Sequence, residues 1–267
     1  MPRLGSPRRA ILALLIGLSL SGIALRPGMA EEPPVIAGAA DLKFALEEVA
    51  AAFRRDTGGE VRLAFGSSGN FYRQIRQGAP FQMFLSADEQ FALDLARKGF
   101  ALDEGMLYAV GRIVVLVPHG SPLKADGTLA DLRAALADGR VEKFAIANPE
   151  HAPYGRRAEE ALRHAGLWEQ IEDKLVLGEN VAQATQFATS GGAQGGIVAY
   201  SLALSPEISE LGSYALIPQD WHEPLRQRMV LLRGAGETAR RFHAYVQEPA
   251  ARAIFRRFGF VLPGESS

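Results

Sequence analysis

Four short segments carry the residue types from which an anion site is built: Ala39-Ala40-Asp41, Ser67-Ser68-Gly69, Pro153-Tyr154-Gly155 and Glu179-Asn180-Val181. Each is small or polar, and each stands between a run with strand character and the start of a helical pattern. The first turn of a helix leaves N–H groups without carbonyl partners and carries partial positive charge. Backbone there, joined by a serine hydroxyl, can hold an anion with no basic side chain. One such segment alone reads as ordinary helix capping. Four of them, divided between two halves of the chain, point to a cleft.

Catalytic patterns fail on inspection. In Gly66-Ser67-Ser68-Gly69-Asn70 a nucleophile elbow centred on Ser68 needs glycine where Asn70 stands. No Gly-Lys-Ser/Thr follows a strand, and the glycine-rich Gly191–Gly196 comes after a helix and before a strand, the reverse of a phosphate loop. His119, His151, His164, His222 and His243 lack metal-ligand spacing, and His151 reads as a loop-positioning residue. The absence of cysteine removes disulfides, thiolate metal sites, thiol nucleophiles and an N-terminal lipid anchor on Cys. The chain is expected to be a binder and not an enzyme, with no catalytic residue, no direct protein–metal ligand and no cofactor.

The elements that must position these segments alternate. Val35-Ile36-Ala37 leads into a helix over Asp41–Arg55, where Leu42, Ala45, Leu46, Val49, Ala50 and Phe53 share one face and Asp41 is the expected cap. Strands follow at Val61–Phe65 and Met83–Leu85, with helices at Phe71–Ile75 and Glu89–Lys98, and Ile113–Val117 is a continuous apolar run. The pattern restarts with a helix near Thr128–Ala137 and strands at Phe144–Ala147, Leu175–Leu177, Gly196–Tyr200 and Tyr214–Ile217. Between them lie helices packing on Ala158, Ala161 and Leu162 and on Val181, Ala184 and Ala188. Strand Arg228–Leu232 and two helices end the chain. Such alternation implies an α/β protein with mostly parallel sheets, in two doubly wound lobes joined by two crossings. The crossings are expected near Arg112–Pro118 and Pro218–Arg228, giving lobe 1 as 31–115 and 222–267 and lobe 2 as 116–221.

Of 267 residues, 48% are hydrophobic and 22% charged, enough apolar surface for real cores. The first thirty residues hold Arg3, Arg8, Arg9 and Arg26 and no acid, ahead of and around the uncharged run Ala10–Leu25. Gly28 and Ala30 then precede Glu31 as small residues before a cut. These are the parts of a secretory signal peptide, so 1–30 is expected to be removed near Ala30 and the protein to be periplasmic. Taking those four arginines from 29 Lys+Arg leaves 25 against 30 acids, a net charge of -5. A protein of that sign is not a general nucleic-acid binder, and any anion it takes must be held by local geometry.

Several blocks resemble the molybdate-binding periplasmic proteins, the substrate-binding components of molybdate ABC importers. They are Val35–Leu46, Gly66-Ser67-Ser68-Gly69-Asn70, Gly78-Ala79-Pro80-Phe81 with Phe84–Asp88, Asn148–Gly155, Gly178–Val181, Gly196–Tyr200 and Ile254–Phe260. The similarity covers nearly all of the chain after residue 30, in order. It implies the type II periplasmic binding fold, two α/β lobes closing on a tetrahedral oxyanion in the cleft. By resemblance, Ser68 donates from hydroxyl and backbone N–H, Tyr154 and Val181 donate backbone N–H groups, and Tyr200, or else Ala199, holds the place of a second-lobe tyrosine hydroxyl. The family usually has a serine or another neutral polar residue before Leu42, at position 40 or 41; here these are Ala40 and Asp41, whose N–H groups remain while a hydroxyl is lost. Asp41 is expected to turn inward as a cap.

The site set is therefore Ala40, Asp41, Ser67, Ser68, Tyr154, Val181 and Tyr200. A cage of neutral donors suits molybdate and tungstate, which carry no proton at neutral pH, whereas phosphate keeps one that needs an acceptor. The expected partners are that oxyanion and an ABC transporter membrane permease, with the protein a monomer. A binder for another oxyanion such as sulfate, or for a small organic acid, is the alternative.

Overall fold

In a computed structural model the described residues are 32–265, and the expected signal peptide, 1–30, lies outside them. The chain builds two five-stranded sheets. The first half contributes β1 (Val35–Ala39), α1 (Lys43–Thr57), β2 (Arg62–Gly66), α2 (Ser68–Arg76), β3 (Phe81–Ser86), α3 (Glu89–Arg97) and β4 (Met106–Gly111). The middle contributes β5 (Ile113–Pro118), α4 (Ala130–Ala137), β6 (Phe144–Ala147), α5 (Pro153–His164), α6 (Trp168–Ile171), β7 (Leu175–Gly178), α7 (Val181–Thr189), β8 (Gly196–Ala199), α8 (Tyr200–Ala203), α9 (Pro206–Ser209) and β9 (Gly212–Leu216). Strand β10 (Leu225–Leu231) and helices α10 (Glu237–Tyr245) and α11 (Pro249–Arg257) complete the first lobe.

The strand order is β2-β1-β3-β10-β4 in one sheet and β7-β6-β8-β5-β9 in the other. In each lobe the central βα units run parallel: β1 pairs with β2 and β3, and β6 with β7 and β8. The remaining pairings are antiparallel, β10 with β3 and β4, and β5 with β8 and β9. The sheets are thus mixed where the alternation predicts mostly parallel ones. The cause is the crossover itself. The run from Met106 to Pro118 is two strands parted only by Arg112, one for each sheet, and the sequence pattern reveals only the second. Strand β5 pairs along its whole length within the second sheet, so the first crossing falls at Arg112 and not inside 113–118. The return crossing lies between β9 and β10.

Helix α1 buries Ala45, Leu46, Val49, Ala52 and Phe53 and ends at Gly58, whose φ of 69° is the left-handed cap that glycine adopts without steric cost. The carboxyl ends of β1, β2, β6 and β7 open toward one place, between the lobes, where ligands sit in open α/β sheets. Among the described residues no helix is long and apolar enough to cross a membrane.

Candidate functional site: an oxyanion cage between the lobes

A cavity of about 10 Å³ is lined from the first lobe by Ala39, Ala40 and Asp41 after β1, by Gly66, Ser67 and Ser68 after β2, and by Ala87 after β3. From the second lobe come Ala152, Pro153 and Tyr154 at the start of α5 and Asn180 and Val181 at the start of α7. Six of the seven expected residues therefore meet: Ala40, Asp41, Ser67, Ser68, Tyr154 and Val181. Among the described residues no lysine or arginine lines the cavity.

The donors follow from local structure. Ser68 opens α2 and Val181 opens α7, and Tyr154 follows Pro153 in the first turn of α5, so their N–H groups have no preceding turn to bond. The Asn180 side chain caps α7 by accepting from the N–H groups of Ala182 and Gln183, which leaves that of Val181 over. The fully buried Ser68 hydroxyl accepts from Ala87 N–H at 3.0 Å, and this frees its own hydrogen to donate. Ser67 Oγ is occupied elsewhere, 3.0 Å from His151 Nδ1.

Asp41 departs from expectation. A 3₁₀ turn over Ala40–Leu42 precedes α1, and the Asp41 carboxylate caps neither element. It is buried, and its Oδ2 accepts from Tyr154 Oη at 3.0 Å and from Gln227 Nε2 at 2.6 Å, while its main-chain carbonyl accepts from Ser201 Oγ at 2.7 Å. Gln227 is held in turn by Tyr108, whose hydroxyl donates to Oε1 at 2.7 Å. Oδ1 of Asp41 is buried and has no partner. Burial pushes this carboxyl up to about 6, against the lowering pull of the bonds from Gln227 and Tyr154. Burial, reinforced by the Asp41 charge, also raises the Tyr154 and Tyr108 hydroxyls well above their ordinary value.

Tyr200 is not among the cavity residues. It begins α8 instead of ending a strand, its N–H is tied to Arg112 O at 3.0 Å, and its ring lies 5.6 Å from that of Tyr214 and against Gly259. Ala199, at the end of β8, does not line the cavity either. The hydroxyls that the second lobe sends across to Asp41 belong to Tyr154 and Ser201.

Gln227, Tyr108, Gly111 and Ser201 escape a reading of the sequence. Gln227 left a signal: on β10 the inward positions alternate as Leu225, Gln227 and Met229, and a polar residue in that row needs a polar partner. Gly111 left none, because its role is room. A Cβ there would lie 2.2 Å from Tyr154 Oη.

The lobes touch around the cavity. Gly69 N–H donates to His151 O at 2.9 Å, Asn70 bonds Glu179, and Asp88 faces Arg156 and Arg157 at 3.8 and 4.0 Å. His151 thereby positions the loop before α5 against α2.

The chain matches the bacterial extracellular solute-binding protein family over residues 34–261. It is 38% identical over 253 residues to the molybdate-binding protein ModA of Rhodobacter capsulatus, covering 94% of each chain. To the molybdate-binding protein ModA of Escherichia coli it is 30% identical over 260 residues, 95% of this chain and 99% of that one. Among solved structures, the periplasmic molybdate-binding protein of Azotobacter vinelandii superposes with a TM-score of 0.77 at 32% identity, over 86% of this chain and 99% of that one.

Proposed function

Since the chain belongs to the bacterial extracellular solute-binding proteins and, among them, to the molybdate-binding proteins, we propose that it captures molybdate or tungstate outside the cytoplasm and delivers it to an ABC permease. The observation that carries this reading is the cage. Helix-start N–H groups from both lobes and the Ser68 hydroxyl converge on a compact space with no basic side chain at its wall. Its volume of about 10 Å³ is far below the ~300–1,000 Å³ of sites for drug-sized organic molecules, which speaks against an organic acid of any bulk. Each bond from a neutral donor to a dianion is worth ~1.5–3 kcal/mol, so several of them replace the water shell of the ion. Binding closes the lobes about the two crossings, and the closed form is the one presented to the permease. The exported protein works in the periplasm as a binder, without catalysis.

Thermal unfolding with added oxyanions tests this. At a thousandfold excess over Kd a ligand adds ~4 kcal/mol, which for a chain of this size is ~8–16 °C in Tm. Molybdate and tungstate are expected to give a rise of that order and sulfate almost none. Equal stabilisation by sulfate removes the selectivity, and no rise with molybdate removes the function.

A further inference from the structure

The cage contains one group that a site for a dianion has no evident use for, the Asp41 carboxyl. Oδ2 already accepts two bonds, from Tyr154 and Gln227, and Oδ1 accepts none. A proton on a neutral Asp41 therefore belongs on Oδ1, which has no hydrogen-bond partner among the described residues. From this geometry, and resting on the oxyanion-capture reading above, we infer that Asp41 Oδ1 holds a bound oxyanion through one shared proton, so that capture of a dianion takes up a proton from solvent.

Charge accounting supports this. An ionised Asp41 beside a dianion puts three negative charges in a buried space without a cation, and like charges in a low-dielectric site force one group to protonate. The uptake balances simply: the carboxylate gains H⁺ from water or buffer, and Oδ1–H then donates to an oxygen of the ion. The neighbouring groups leave Asp41 to do this. Tyr154 on α5 and Gln227 on β10 are spent on Oδ2, Tyr108 on β4 is spent on Gln227, and Ser201 on α8 is spent on the Asp41 carbonyl. Lys43 and Glu47 on α1 are exposed, Ser68 on α2 bonds Ala87 N–H, and His151 bonds Ser67 and lies 3.6 Å from Glu179. Burial keeps the Asp41 proton on to about pH 6 before any ion arrives, so the cost of the uptake at neutral pH is modest. Asp41 is thus a selectivity element: it favours ions whose oxygens accept strongly and makes affinity depend on pH.

Isothermal titration calorimetry of the wild-type protein with sodium molybdate, run at pH 7.5 in buffers of different ionisation enthalpy, counts the protons. Close to one proton per ion is expected, with Kd weakening about tenfold per pH unit above pH 7. Asp41→Asn keeps the shape and puts an amide donor at the same place, so its uptake should fall to zero and its Kd become flat with pH. Molybdate bound by the wild type with no proton uptake overturns this inference and leaves the capture function standing. Uptake that persists in Asp41→Asn also overturns it. No molybdate binding at any pH removes both. Should Asp41→Asn fail to fold, the wild-type proton count and pH profile decide by themselves.

Discussion

Asp41 is a side chain whose burial is costly to the fold, and the proposed proton uptake gives that burial a use in the site. A buried carboxyl held up to about 6, from an ordinary 3.8, binds its proton more tightly in the folded chain than in the unfolded one. Its contribution to stability is then complete below about pH 4 and is lost as pH climbs through about 6. That displacement corresponds to on the order of 3 kcal/mol by pH 8. Asp41→Asn keeps an oxygen to accept from Tyr154 and Gln227 and never ionises. Urea unfolding between pH 4 and pH 8 should find the variant close to wild type at the acid end and more stable by a few kcal/mol at the alkaline end. A constant difference across that range contradicts the buried-charge account.

In the proposed capture the helix starts do the binding, and their placement depends on close contact between α2 and the loop before α5. Gly69 gives that contact: a Cβ would lie 2.6 Å from His151 O, on the opposite lobe. The clash of Gly69→Ala falls on the closed state alone, so its ~1–3 kcal/mol should appear as a roughly 5- to 150-fold weaker molybdate Kd. Small-angle scattering of the molybdate-saturated variant should also show a larger radius of gyration than that of wild type. The same Kd as wild type would show that closure does not need this contact. Glu179, whose side chain is 61% exposed, makes the neighbouring bond to Asn70, but an exposed pair is worth ~0–1 kcal/mol, so Gly69 matters more. These elements were largely legible in the sequence, because strand runs, helical stripes and the Asn180 cap are local patterns. The hidden strand Met106–Gly111 and the antiparallel pairings were not, since pairing direction is decided by where the chain returns, far along the sequence. Four helix starts were readable as one cleft, but the partners of Asp41 were not. Gln227, 186 residues away, meets it only through the sheet order.

Between ion and protein, long-range electrostatics opposes encounter while local geometry favours capture. From residue 31 onward the chain has a net charge of -5, and among the described residues the cavity wall offers no lysine or arginine to draw an anion in. Repulsion between like charges slows association most in dilute salt and is screened over a Debye length of about 8 Å at physiological ionic strength. The association rate of molybdate, followed by stopped-flow tryptophan emission from Trp168 and Trp221, should therefore rise as sodium chloride is added from low to physiological levels. The dissociation rate should change little, because the bonds that hold the ion lie inside the closed cleft, out of reach of the salt. A site that gripped the ion with basic side chains would give the opposite slope, with association falling as salt rises. The sign of this one dependence therefore separates a cage of neutral donors from a cationic trap, whatever the affinity turns out to be.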